Sequence, residues 1–262
     1  MCLAMIALDQ HPLYPIIILS NRDEFYKRAT DPARYWQENS NVFSGKDLMR
    51  GGTWLGVNRD GKFSLITNYR SPDGYRLSMQ SRGLLAKKFL FESKDTSPSA
   101  YVKTIEAVAN TYNPFNMIVG DRTNVVYYSN VINKTTDLIS GLYGISNHLL
   151  DTPWYKVLKA KNLFNHLLVD LITYEDPGMI AKMLYPILED RTLAPDNLLP
   201  NTGVPMNVEK SLSSIFVDIP GQAYGTRSAT MILFKKKNIF FFEKTFTNGK
   251  LISFNSTNLR TG

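Results

Sequence analysis

Two stretches near the start of the chain, CLAMIAL and PIIILS, are apolar at odd and even positions alike, with the polar run DQHPLY between them. A strand with one wet face alternates with period two. A strand without that alternation is buried on both faces. The pattern predicts an N-terminal hairpin in the middle of a layered structure. Further on, TWLGV and KFSLIT flank NRDG, a second hairpin signal. From Ser78 to Glu92 the period changes: Leu84, Leu85, Phe89 and Leu90 fall on one stripe of a helix. A second helix is predicted from Ser99 to Tyr112, with Ser97 and Pro98 marking its start.

Strands return at FNMIVG and VVYYSN, then at DLIS and YGIS around Gly141. A long helix is predicted from about Pro153 to Ile172 and a shorter one from about Gly178 to Leu188. The stretch from Asp190 to Val208, rich in Pro, Asn and Asp, is expected to be irregular, either a lid or plain surface. SATMILF, NIFFFEKTF and KLISFN close the chain as strands. Strands and helices thus come in blocks rather than in strict alternation. That argues for an α+β protein with antiparallel sheets, not a parallel Rossmann sheet. Two sheets facing each other, with helices outside both, would cover the doubly apolar strands. The absence of any linker or repeat makes residues 1–262 one domain.

Composition narrows the function. Hydrophobic residues make up 44% of the 262 positions and charged residues 20%, a globular profile. The net charge of +7 raises the question of a nucleic-acid or anionic-membrane partner. Its densest cluster, Lys235, Lys236 and Lys237, sits between two apolar runs and belongs to a hairpin tip, so nucleic acid is not expected. The first apolar run lacks Lys and Arg and meets Asp9, unlike a signal peptide. No apolar stretch approaches the ~20 residues of a membrane span. A cytoplasmic location is the expectation, and the oligomeric state stays open.

The candidate chemistry starts with Cys2, the one cysteine of the chain. A lone cysteine is usually a small buried hydrophobe. Position two changes the weighing, because an initiator methionine is generally removed when the next side chain is small. The processed chain would carry a thiol and a free α-amine on one residue. An α-amine with a pKa of ~8 can take the thiol proton and return it. Arg22, Asp23 and Glu24, in SNRDEF, follow the second strand and come near Cys2 if the hairpin forms. An arginine there would lower the thiol pKa, and a carboxylate would hold the amine. Asn68 in TNYR and Asn147 in GISNHLLDTPW stand at strand ends. Asn147 is either a helix cap or a donor to an oxyanion. Arg227 in YGTRSAT starts a strand. The three histidines, His11, His148 and His166, have no metal-site spacing. No metal, phosphate loop or dinucleotide cofactor is expected.

These blocks together carry a resemblance. NRDEF after a cysteine-led strand, then GKDLMRGGTWLGVNRDGKFSLITNYR, YGISNHLLDTPWYKV and YGTRSATMIL, resemble in order the NRDE family, the family of the transport-and-Golgi-organisation protein 2 homologues. That family is similar to the N-terminal nucleophile (Ntn) hydrolases. The resemblance implies a four-layer αββα sandwich and, by analogy with cysteine-type acylases that cleave bile salts and penicillin V, a set of roles. Cys2 would be nucleophile and base. Arg22 and Asp23 would tune the thiol and orient the amine. Asn68 and Asn147 would contact the oxyanion or substrate, and Arg227 would be a thiol-side cation. In those acylases the arginine and the aspartate lie a few residues apart. Here they are adjacent, so Asp23 or Glu24 could fill the carboxylate role. The family is also associated with lipid and acyl homeostasis, secretory organisation and haem trafficking. The resemblance therefore implies, as the alternative to a hydrolase, a carrier of haem or an acyl-lipid, with Cys2, His148 or a methionine available as a haem ligand.

Overall fold

The computed structural model describes residues 2–71, 74–219 and 221–261. Along the chain the strands are β1 (Cys2–Leu8), β2 (Ile16–Phe25), β3 (Thr30–Trp36), β4 (Asn39–Asp47), β5 (Leu55–Asn58), β6 (Phe63–Asn68), β7 (Phe115–Gly120), β8 (Val125–Ser129), β9 (Lys134–Leu138), β10 (Gly141–Ile145), β11 (Asp218–Ile219), β12 (Tyr224–Lys235), β13 (Asn238–Thr247) and β14 (Lys250–Arg260). The α-helices are α1 (Gly83–Phe91), α2 (Pro98–Glu106), α3 (Tyr155–Leu171), α4 (Pro177–Leu188) and α5 (Met206–Ser211). The chain divides into two compact units. One holds the residues up to Lys27 together with Ser140–Asn258; the other holds Arg28–Ile139 and the end of the chain from Leu259.

In the first unit the sheet runs β10-β1-β2-β12-β13-β14, with β11 added beside β12. The paired strands for which a register is known are antiparallel. The expected N-terminal hairpin forms, from Leu8 opposite Ile16 to Cys2 opposite Arg22. Leu3, Met5 and Ala7 of β1, Ile17 and Leu19 of β2, and Ala229, Met231 and Leu233 of β12 all enter one apolar cluster with α3 and α4. Helix α3 supplies Val157, Ala160, Phe164, Leu168 and Leu171, spaced at three and four residues along one stripe. The alternate residues, Cys2, Ala4, Ile6 and Leu8, face away from these helices and are buried too. That is why β1 reads as apolar throughout.

Gly144 of β10 seats α3. A Cβ there would lie 2.8 Å from Val157 Cγ1, so only glycine lets the helix come this close. The Gly144 amide donates to Asp151 Oδ1 at 2.8 Å, tying the approach loop of α3 to the strand. Asn21 Nδ2 donates to the carbonyls of Leu188 at 2.7 Å and Ile215 at 3.0 Å, which anchors the end of α4 against β2.

In the second unit the order is β3-β4-β5-β6-β7-β8-β9, a meander of antiparallel neighbours. Ile66, Met117, Val119, Val126 and Tyr128 pack with α1 and α2 in its core. Strands β3 and β4 escape the hydrophobic pattern. Their pairing is broken by register shifts around Asp31/Arg34 and Tyr35/Trp36, so alternation never settles. Helix α1 starts at Gly83 rather than Ser78, because Gln80 is held beside Tyr112 in an isolated bridge and donates to Thr111 O. The second helix stops at Glu106 and continues only as a 3-10 turn, Ala109–Thr111. The expected irregular stretch from Asp190 contains a 3-10 turn, Asp196–Leu198, and leads into α5. The three lysines lie at the β12–β13 turn, a hairpin tip as expected. Among the described residues, no helix is long and apolar enough to cross a membrane.

Candidate functional site

Strand register brings the N-terminal cysteine and the SNRDEF segment together. Arg22 stands directly opposite Cys2, and Ser228 of β12 stands opposite Arg22 on its other side. Directly opposed residues share a face, so the three side chains form a row on the face turned away from α3 and α4. SNRDEF therefore does not follow the second strand. It is the last part of β2, and Arg22 and Asp23 are buried at 5% and 1% exposure.

Cys2 is buried at 8% exposure, and its backbone is held at both ends. Its nitrogen donates to Asn147 Oδ1 at 3.4 Å, and its carbonyl accepts from Ser146 Oγ at 2.8 Å. Asn147 is thus no cap of α3. Trp154 occupies that position, seven residues further on. Burial pushes the Cys2 thiol above its ordinary pKa. The positive chain terminus and Arg22 pull it down, Asp23 pushes it up, and a hydrogen bond from the Asp23 backbone N–H stabilises the thiolate. The question of Met1 removal falls on a residue outside those described.

Asp23 and Glu24 separate by parity. Asp23 lies opposite Thr226, whose hydroxyl donates to Asp23 Oδ1 at 2.7 Å. Thr226 Oγ1 in turn accepts from the Val217 amide, and the Tyr224 hydroxyl donates to Asp23 O. Burial raises the Asp23 pKa. The strongest opposing influence is Lys156, in the first turn of α3 and itself 2% exposed. Glu24 is only half-buried and accepts from the amide of Phe25. Of the two carboxylates, Asp23 is the one built into the interior.

Arg227 does not begin a strand. It sits inside β12 at a bulge, since Thr226 pairs with Asp23 and Ser228 with Arg22, leaving Arg227 as the extra residue. Its Nη1 donates to the carbonyls of Phe25 at 3.0 Å and Tyr26 at 3.2 Å. Burial and the charge of Arg22 both lower its pKa. Cys2, Arg22, Asp23, Asn147 and Arg227 therefore gather in the first unit. Asn68 ends β6 in the second unit, opposite Phe115. His148 is bonded through Nδ1 to Thr152 Oγ1 at 2.8 Å, with its ring against Trp154.

Four contributors were not singled out in the sequence: Ser146, Lys156, Thr226 and Ser228. Thr226 and Ser228 flank Arg227 in YGTRSAT, and period-two alternation would have assigned them to the site had the bulge been visible. Lys156 resembles any solvent-facing lysine at the start of a helix. Ser146 is marked only by its neighbour Asn147.

The fold matches that of a solved structure, a mutant C2A conjugated bile acid hydrolase from Clostridium perfringens. The likeness covers 99% of this chain and 92% of that one, with a TM-score of 0.54 at 10% sequence identity. The α+β architecture is thus that of the Ntn hydrolases, as expected. Sequence comparison gives the family: residues 1–248 match Transport and Golgi organisation 2, and the chain belongs to it. It is 32% identical over 248 residues to the Transport and Golgi organization protein 2 homolog of Bos taurus, covering 89% of this chain and 88% of that protein. The Homo sapiens homolog is 32% identical over 249 residues, with the same coverage.

Proposed function

We propose that this chain is an N-terminal-cysteine hydrolase that cleaves a non-peptide amide or acyl bond of a small or lipid-like substrate. One observation carries the proposal: the Cys2 nitrogen is held by Asn147 Oδ1 while Arg22 stands directly across from the thiol. Removal of Met1 turns that nitrogen into an α-amine, already placed beside the sulfur it would serve. The amine takes the thiol proton, and the thiolate attacks the carbonyl carbon. The tetrahedral oxyanion collapses to a thioester as the protonated amine gives its proton to the leaving group. Water then attacks the thioester, and the acid is released with the thiol restored. Arg22 stabilises the thiolate. Asp23, fixed by Thr226, orients the amine. Arg227 adds positive charge. Asn147 holds the amine and sits where it can also contact substrate. For Asn68 the oxyanion role rests on the family resemblance, and Asn68→Ala tests it.

The fold likeness to a bile acid hydrolase supports the reading. The test uses the processed chain with a panel of N-acyl amides and acyl thioesters bearing chromogenic leaving groups. Cys2→Ala is expected to lower turnover by roughly a thousandfold or more, with Cys2→Ser keeping a trace. Unchanged turnover in Cys2→Ala would overturn the mechanism. A processed chain that turns over no member of the panel but binds haemin or an acyl-lipid saturably would be a carrier, with Cys2→Ala and His148→Ala identifying the haem ligand.

A further inference from the structure

We propose that Lys156, in the first turn of α3, is a positioning residue of the site: it forms a buried ion pair with Asp23 that holds the carboxylate charged and in place to orient the Cys2 amine. The proposal rests on the hydrolase reading and adds a residue to its machinery. Its first support is the course of α3. The last residue of the helix, Leu171, gives its carbonyl to His11 Nε2 at 2.9 Å, in the turn between β1 and β2. Near the other end Val157 lies over Gly144, which stands opposite Met5. The helix therefore runs alongside β1 in the same direction, and its first turn lies towards the Cys2 end. Helical side chains lean towards the helix N-terminus, so Lys156 reaches further that way.

The second support is how the charges are sorted. Of the three lysines of α3, Lys159 pairs with Asp190 and Lys161 with Asp151, each at 2.7 Å and each partly open to water. Lys156 is instead 2% exposed. A lysine is almost never buried to this degree unless a negative charge meets it. Among the described residues the buried carboxylates are Asp23, Glu209 and Glu243. Glu209 accepts from Thr202. Glu243 accepts from Thr230, on the face turned away from α3. Asp23 alternates with Arg22, so it shares the helix side of β2 with Ile17, Leu19 and Asn21. It is the buried carboxylate on the side of Lys156. The titration of Asp23 agrees with this pairing. Burial raises its pKa, and Lys156 is the strongest influence that lowers it, ahead of the chain terminus, Thr226 and Arg22. Thr226 supplies one hydrogen bond to Oδ1, and Lys156 supplies the charge that keeps the group a carboxylate. A carboxylate accepts from a protonated amine and aligns it with the thiol; a neutral carboxyl there would hold it less firmly.

The test follows the protonation of Asp23 itself, by carbon-13 NMR of the chain labelled at its aspartate carboxyls. The Asp23 signal is the one that Asp23→Asn removes. Lys156→Met is expected to move its inflection to higher pH, and Lys156→Arg, which keeps the charge, is expected to leave it near that of wild type. Equal inflections in wild type and Lys156→Met would overturn the proposal, as would equal shifts in the two variants. Thermal unfolding serves even where Lys156→Met folds poorly. That variant strands the Asp23 charge, so Asp23→Asn/Lys156→Met is expected to melt higher than Lys156→Met alone. A double variant that melts no higher would overturn the pairing. In turnover, Lys156→Met is expected to lower kcat about tenfold or more with KM little changed, and Lys156→Arg to regain most of it. The titration and the melting need no turnover. A shifted inflection without hydrolysis would therefore refute the hydrolase alone, and hydrolysis with an unshifted inflection would refute the Lys156 pairing alone.

Discussion

The four central strands of the first sheet have two ends that are chemically opposite, and all the residues compared are buried except Thr245. On the face turned from α3 and α4, one end carries Leu8, Ile16, Phe234 and Ile239, followed by Ile6, Ile18, Ile232 and Phe241. The other end carries Ala4, Ser20, Thr230 and Glu243, followed by Cys2, Arg22, Ser228 and Thr245. The apolar rows stabilise by burial, at about 25 cal/mol per Å². The polar rows oppose folding unless each group finds a partner. Thr230 donates to Glu243, Ser20 donates to Leu3 O and Ser228 finds no partner among the described residues. One end of the sheet is scaffold, and the other is held in place by it.

This contrast can be broken by substitution. The largest effect on stability belongs to the apolar end. Ile18→Ala is expected to cost about 2–5 kcal/mol in denaturant unfolding. It should leave the pH profile of Cys2 alkylation where it was. A shifted profile would mean that the two ends are not separate. At the polar end the signs divide. Arg22 holds the thiol pKa down, so Arg22→Met should move the alkylation inflection up and slow the reaction at any pH below it. Asp23 holds the thiol pKa up, so Asp23→Asn should move the inflection down. Shifts of the same sign in the two variants would contradict the electrostatic account of the site. The smallest effect is expected from Thr226→Val, which removes a donor to Asp23 for about 1 kcal/mol of stability. Its alkylation profile should move less than that of Asp23→Asn.

The two ends also differ in how plainly the sequence announces them. The apolar rows are visible as CLAMIAL, PIIILS and SATMILF, because burial on both faces leaves a continuous apolar run. Cys2 and the SNRDEF segment could be brought near each other in advance, since a hairpin returns the end of its second strand to the start of its first, but the long connection from Asp9 to Pro15 leaves the exact pairing open. The partners across β2 could not. Asp23 meets Thr226 and Arg22 meets Ser228 only because of one inserted residue, and no local pattern marks a bulge between charged and hydroxyl side chains. Lys156 was hidden for another reason. It comes to Asp23 through the packing of a helix more than 130 residues away in sequence, a contact that spacing does not encode. Strands β3 and β4 were lost to broken alternation, and the early start assigned to α1 ignored the bridge at Gln80.

The central claim is that the Cys2 nitrogen, held against Asn147, is a free α-amine in the working protein. The intact mass of the chain purified from its own cell tests this most directly. The account expects a mass short by one methionine. A mass that retains Met1 would leave an amide where the base should be, and would contradict it.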